Sequence, residues 1–175
     1  SSTSTKHAVS TDNGATFTHY TSLPADYYYA IAYGNGYFIA GAYSSSTVRR
    51  STDGVTWTGI AGVLSGGSDT MSYGNGLFVS AGRIPGTTVS RSSNDGSSWS
   101  TTTVSGASPV TSCFTNGKFF IFNSGSATNG VWHSTDAITW TRITFPISVS
   151  ASSAEFYGTD YIIPAYSAAT GSVLL

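Results

Sequence analysis

The chain reads as all-β, a β-propeller of four blades, and three observations predict it. A short motif recurs at a fixed period, a second hairpin motif recurs between its copies, and no window carries a helical period. The first motif runs Val9-Ser10-Thr11-Asp12-Asn13-Gly14-Ala15-Thr16-Phe17-Thr18, then Val48-Arg49-Arg50-Ser51-Thr52-Asp53-Gly54-Val55-Thr56-Trp57-Thr58. It returns as Ser93-Asn94-Asp95-Gly96-Ser97-Ser98-Trp99-Ser100 and as Ser134-Thr135-Asp136-Ala137-Ile138-Thr139-Trp140-Thr141. The aspartates stand 41, 42 and 41 residues apart. A spacing in this range marks one supersecondary unit repeated.

The second motif is Ala32-Tyr33-Gly34-Asn35-Gly36-Tyr37-Phe38-Ile39, then Ser72-Tyr73-Gly74-Asn75-Gly76-Leu77-Phe78-Val79, then Cys113-Phe114-Thr115-Asn116-Gly117-Lys118-Phe119-Phe120. A fourth copy, Phe156-Tyr157-Gly158-Thr159-Asp160-Tyr161-Ile162, keeps the frame without Asn-Gly. Asn-Gly between apolar runs signals a type I′ hairpin, because both residues accept φ > 0. Each repeat then has four strands; in the second they fall at about 69–74, 77–82, 87–92 and 97–103. Four antiparallel strands per ~42 residues make one propeller blade. The run Tyr37–Ala42 is almost continuously apolar, as a strand buried on both faces must be.

Taken in order, the 175 residues form one domain. Residues 1–9 are a tail or an exchanged strand, and the blades lie at about 27–59, 69–101, 109–142 and 152–175. The last blade lacks its outer strand, and residues 10–20 carry one, so the N-terminal strand is expected to close the ring. Lys6–Val9 and Gly171–Leu175 then compete for one slot. The surplus strand is either a tail or pairs with a like subunit, giving a homo-oligomer, a larger ring or a filament.

The Asp motif, S-x-D-(x)-G-x-T-W, resembles the Asp-box, or bacterial neuraminidase repeat, of sialidases, sortilin-type receptors and phage tail proteins. The resemblance implies a β-propeller in which Asp12, Asp53, Asp95 and Asp136 staple rim turns, covered by Phe17, Trp57, Trp99 and Trp140. The first copy carries an extra Asn13, and the fourth has Ala137 in place of Gly. Sialidase chemistry is not carried over. Three of five arginines (Arg49, Arg50, Arg91) lead into Asp motifs, and Arg83-Ile84-Pro85 follows the second motif, whereas the family places Arg-Ile-Pro before the first. Glu155 is the only glutamate, and its nearest carboxylate, Asp160, is expected at the far end of the same short strand.

Charged residues make up 9% of the chain and its net charge is −1, which argues against nucleic acid. There is no apolar run long enough for a membrane span. Cys113 is the sole cysteine and reads as a small buried hydrophobe. His7, His19 and His133 lack ligand spacing, so no metal and no cofactor are expected. A low-charge scaffold rich in Tyr, Trp, Ser and Thr suits an extracellular or virion surface, and a non-catalytic recognition or adhesion module that stacks aromatics on surface glycans. Tyr27, Tyr28, Tyr29, Tyr43 and Tyr166 are the candidate ligand contacts. The alternative is a structural subunit of a filament or virion assembled by strand exchange, and a sialidase-like hydrolase is the third reading.

Overall fold

The computed structural model describes residues 7–43, 45–82, 86–93, 95–123, 130–145, 150–167 and 171–174. All regular structure among them is β-strand. A first hairpin pairs β1 (His7–Val9) with β2 (Thr18–Tyr20) around Asp12. Three four-stranded antiparallel meanders follow. The first is β3 (Tyr28–Gly34), β4 (Tyr37–Ala42), β5 (Val48–Ser51) and β6 (Thr58–Ile60). The second is β7 (Thr70–Gly74), β8 (Leu77–Ala81), β9 (Thr88–Ser92) and β10 (Ser100–Thr103). The third is β11 (Pro109–Thr115), β12 (Lys118–Asn123), β13 (Gly130–Ser134) and β14 (Thr141–Thr144). The chain ends in two short units. One is the sheet of β15 (Ser150–Ala151), β18 (Pro164–Ser167) and β19 (Gly171–Leu174); the other is the hairpin β16 (Glu155–Tyr157)–β17 (Asp160–Ile162).

The sheets form where local chemistry places them. Asn35 and Gly36 take φ of 48° and 79°, and the Asn75-Gly76 and Asn116-Gly117 pairs match them, so all three inner hairpins turn as type I′. The fourth hairpin has positive φ at Gly158. Ser–Asp turns join the third strand of each full sheet to the fourth. Second strands are buried along most of their length, and the outer strands β6, β10 and β14 are largely exposed.

Each gap between consecutive sheets has its own core. Ile39, Val48, Met71 and Phe78 fill the first gap, Val79, Val89, Phe119 and Trp132 the second, and Phe120, Phe122, Val131 and Ile163 the third. Glycine allows close approach at two joints: the Tyr73 ring lies against Gly34 and the Phe114 ring against Gly74, where a methyl group would overlap them. Tyr73 also donates its hydroxyl to Asn35 Oδ1 at 2.6 Å. Deeper in the second joint, hydroxyls bridge the inner strands, with Thr70 Oγ1 2.9 Å from Ser112 Oγ and Ser112 Oγ 3.2 Å from Ser72 Oγ.

The all-β propeller repeat is as the sequence predicts. β2 pairs with β1, and β19 pairs with β18; no pairing of β2 with β19 occurs among the described residues. The β3 residues Tyr29, Ile31 and Tyr33 are 58–61% exposed. Tyr73 and Phe114, the counterparts of Tyr33, are packed against the preceding sheet.

Candidate functional site

The Asp motifs form closed hydrogen-bond circuits. Asp53 Oδ1 accepts from Ser51 Oγ (2.8 Å), Val55 N (2.8 Å) and Thr56 N (2.7 Å), and Ser51 Oγ accepts from Gly54 N (2.8 Å). Asp136 repeats the set with Ser134, Ile138 and Thr139. Asp12 accepts from Ser10 Oγ, Thr16 N and Thr16 Oγ1. Asp95 accepts from Ser97 N at 3.1 Å and pairs with Arg50 of the preceding sheet. Hydrogen bonds to the ionised form hold these carboxyls below the usual range. Thr16 is the main cause at Asp12, which falls to about 2; the Thr56 and Val55 amides are the main cause at Asp53, Ser97 at Asp95, and the Ile138 and Thr139 amides at Asp136.

The aromatic covers behave less uniformly than the motif suggests. Trp57 and Trp99 fold under their turns and donate their indole N–H to Gly54 O (3.1 Å) and Gly96 O (2.8 Å). Phe17 is 59% exposed. Trp140 is half-buried, and its indole N–H has no partner among the described residues.

The predicted tyrosines converge. Tyr27, Tyr28 and Tyr29 line a cleft of about 410 Å³ with His7, Leu23, Asp26 and Ile31, between the first hairpin and the first sheet. Its geometry is set locally. The β3–β4 register slips between Tyr28 and Ala30, so Tyr29 is the extra residue of a bulge, a device that re-aims side chains. Tyr43 packs on Tyr29 with ring centres 5.1 Å apart, and Tyr43 N donates to Tyr27 O at 2.8 Å. Arg49 Nε donates to the Tyr28 hydroxyl at 3.1 Å, and Tyr27 N donates to Asp26 Oδ1 at 2.8 Å. His7 stacks on Tyr20 and lies 3.0 Å from Gly54 O through Nε2, leaving Nδ1 buried and unpaired among the described residues. Tyr27 and Tyr29 remain 70% and 61% exposed. The site thus offers aromatic faces at its rim and a carboxylate, an imidazole and backbone groups around them.

Tyr166 does not share this location. It sits on β18 opposite Ser150 and Ser172 in the last sheet, and its ring lies outside the described residues. His7, Leu23 and Asp26 line the cleft without having been singled out from the sequence; only the run Tyr27-Tyr28-Tyr29 gave a signal there. Glu155 and Asp160 lie on two neighbouring strands, β16 and β17, opposite Ile162 and Tyr157, so they are not the ends of one strand. Arg83-Ile84-Pro85 lies outside the described residues. Cys113 is half-buried against the third core, and burial raises its thiol pKa. No group of three His, Cys, Asp or Glu suited to a metal occurs among the described residues.

No protein-family model matches the chain, and no curated protein does. Solved structures do match. Virginiamycin B lyase from Staphylococcus aureus aligns with a TM-score of 0.71 at 13% identity, over 91% of this chain and 59% of the lyase. YCF48 bound to D1 peptide aligns at 0.65 and 16%, over 90% of this chain and 54% of that one. The computationally designed Ika4 protein aligns at 0.63 and 12%, over 88% and 94%. These likenesses show a β-propeller fold, and the chain spans little more than half of the lyase or of YCF48. They also correct one expectation. The chain was expected not to be an enzyme, yet the same fold carries a lyase, so absence of catalysis does not follow from this architecture.

Proposed function

We propose that the chain is a recognition module whose Tyr27–Tyr28–Tyr29 cleft binds a neutral carbohydrate. The observation that carries the reading is the convergence of three tyrosines on one open cleft, with Tyr43 bracing Tyr29. A pyranose ring presents C–H groups on one face and hydroxyls at its edge. Exposed tyrosine faces suit the first, and Asp26, His7 and the tyrosine hydroxyls suit the second. A glycan array probed with the wild type, Tyr27→Ala and Tyr29→Ala is the test. Both positions are exposed, so the variants keep the fold. The expected outcome is a set of neutral glycans bound by the wild type and weakened by about tenfold or more in each variant. Absence of binding, or binding unchanged in both variants, would reject the reading.

A second reading rests on the exposed β3 face. At two internal joints an aromatic equivalent to Tyr33 packs on the preceding sheet. Tyr33 has no such neighbour among the described residues, and Tyr157 is 78% exposed on the last inner hairpin. A second copy docking its β16–β17 hairpin on this face would continue the blade stacking and would compete with a sugar for the cleft. Light scattering on size-exclusion fractions separates the two. Association that is lost in Tyr33→Asp supports docking, and a monomer at all concentrations opposes it.

A further inference from the structure

The repeat breaks at one more place, the groove between the rims of the second and third sheets. A cavity of about 300 Å³ there is lined by Thr103, Val104 and Ser105 at and just after the end of β10, by Trp132 and Arg142 of β13 and β14, and by Ile138 and Trp140 of the turn between them. Trp132 and Arg142 are opposite each other across β13 and β14. The matching cross-strand pair is Ser90–Thr101 in the second sheet and Arg49–Gly59 in the first. The Trp–Arg pair therefore belongs to this sheet and not to the repeat.

Three features make the groove chemically distinct. Arg142 lies over the Trp132 ring, 5.1 Å from its centre, in a space kept open by Gly130; a methyl there would come within 3.0 Å of Arg142 Nε. Stacking occupies the face of a guanidinium and leaves its N–H edge free, and no carboxylate pairs with Arg142 among the described residues. The Trp140 indole N–H is buried and without a partner among the described residues, whereas Trp57 and Trp99 bond the carbonyl of their turn. A buried donor left unpaired is unfavourable, and this sets the Trp140 turn apart from the other two. Ile138 adds an exposed apolar side chain beside the indole, and Thr103 and Ser105 add hydroxyls.

We propose that this groove is a second ligand site, independent of the tyrosine cleft, and that it takes a carboxylate-bearing sugar of the uronic acid class. The carboxylate pairs with the free edge of Arg142, the C–H face of the ring lies on Ile138 and Trp140, and ring hydroxyls meet Thr103 and Ser105. A cation held on an aromatic plane beside hydroxyl groups selects a planar anion attached to a partly apolar ring.

The test follows the four indole N–H signals by NMR while the full chain is titrated with digalacturonate, with maltose as the uncharged control. Saturable shifts at Trp140 and Trp132, with Trp57 and Trp99 unmoved, are expected. Arg142 is exposed, so Arg142→Gln should keep the native indole spectrum while weakening digalacturonate by about tenfold or more. Arg142→Lys should recover part of the loss, since lysine keeps the charge without the fork. Raising salt from about 0.05 to 0.5 M should weaken binding as well. Equal shifts with maltose, full affinity in Arg142→Gln, or no shift up to about 50 mM ligand, a concentration at which even weak complexes populate, would overturn the proposal.

Discussion

At the residue scale, the Asp turns couple the fold to pH. A carboxyl whose folded value lies below its unfolded value of about 3.9 stabilises the fold above that value, and the stabilisation is lost as pH falls towards the folded value. Asp12, held down to about 2, gives up its share between roughly pH 4 and 2; Asp53, Asp95 and Asp136 act in the same direction. Calorimetry across that window should show the melting temperature falling with acid. Asp53→Asn should melt lower than the wild type at neutral pH and lose less on acidification. Parallel curves for the two proteins would refute the coupling. Glycine matters at Gly54 for a separate reason. Its φ is 72° and a methyl there would meet only ordinary contacts, 3.8 Å from Phe38 and Val9, so Gly54→Ala isolates the backbone term and should cost about 1 kcal/mol in denaturant titrations. Ala137 holds φ of 54° at the equivalent place, so the turn tolerates a methyl group at that cost.

At the scale of the element, most of the architecture was legible in the sequence, because its determinants are local. Asn-Gly pairs dictate the inner hairpins, Ser-x-Asp dictates the turns between third and fourth strands, and the apolar run Tyr37–Ala42 identifies a strand covered on both faces. What was not legible depends on choices between equivalent partners. β1 and β19 fit the same slot by pattern, and nothing in either strand specifies which pairing wins. The bulge at Tyr29 was equally silent, although it shapes the cleft; the aromatic run marks the place and not the conformation. His7 entered the site only through the packing of the first hairpin against Gly54 and Trp57. The joints between elements are testable. Gly74→Val would drive a side chain into the Phe114 ring and should cost about 1–3 kcal/mol, and Phe78→Ala, which empties a fully buried position, should cost about 3–5 kcal/mol. Chemical denaturation reads both, and near-neutral values would contradict the packing between consecutive sheets.

At the scale of the whole molecule, three complete blades stack in chain order, with a two-stranded hairpin before them and shorter units after. The stacking places each core between neighbouring sheets, so coupling passes from blade to blade, with Arg50 and Asp95 adding an ion pair across the first joint. That pair is solvent-facing and contributes little, on the order of 1 kcal/mol or less. The candidate cleft lies between the first hairpin and the first sheet, and the geometry that leaves Tyr27 and Tyr29 exposed makes them available to a ligand. The central claim is that this cleft is a carbohydrate site. It is tested most directly by amide chemical-shift mapping of the isotopically labelled chain, titrated with a neutral oligosaccharide selected on the array. The account predicts saturable shifts at Tyr27, Tyr28, Tyr29, Tyr43 and His7, with the amides of the second and third sheets unmoved. Shifts confined to those two sheets, or none at any residue bordering the cleft, would contradict it.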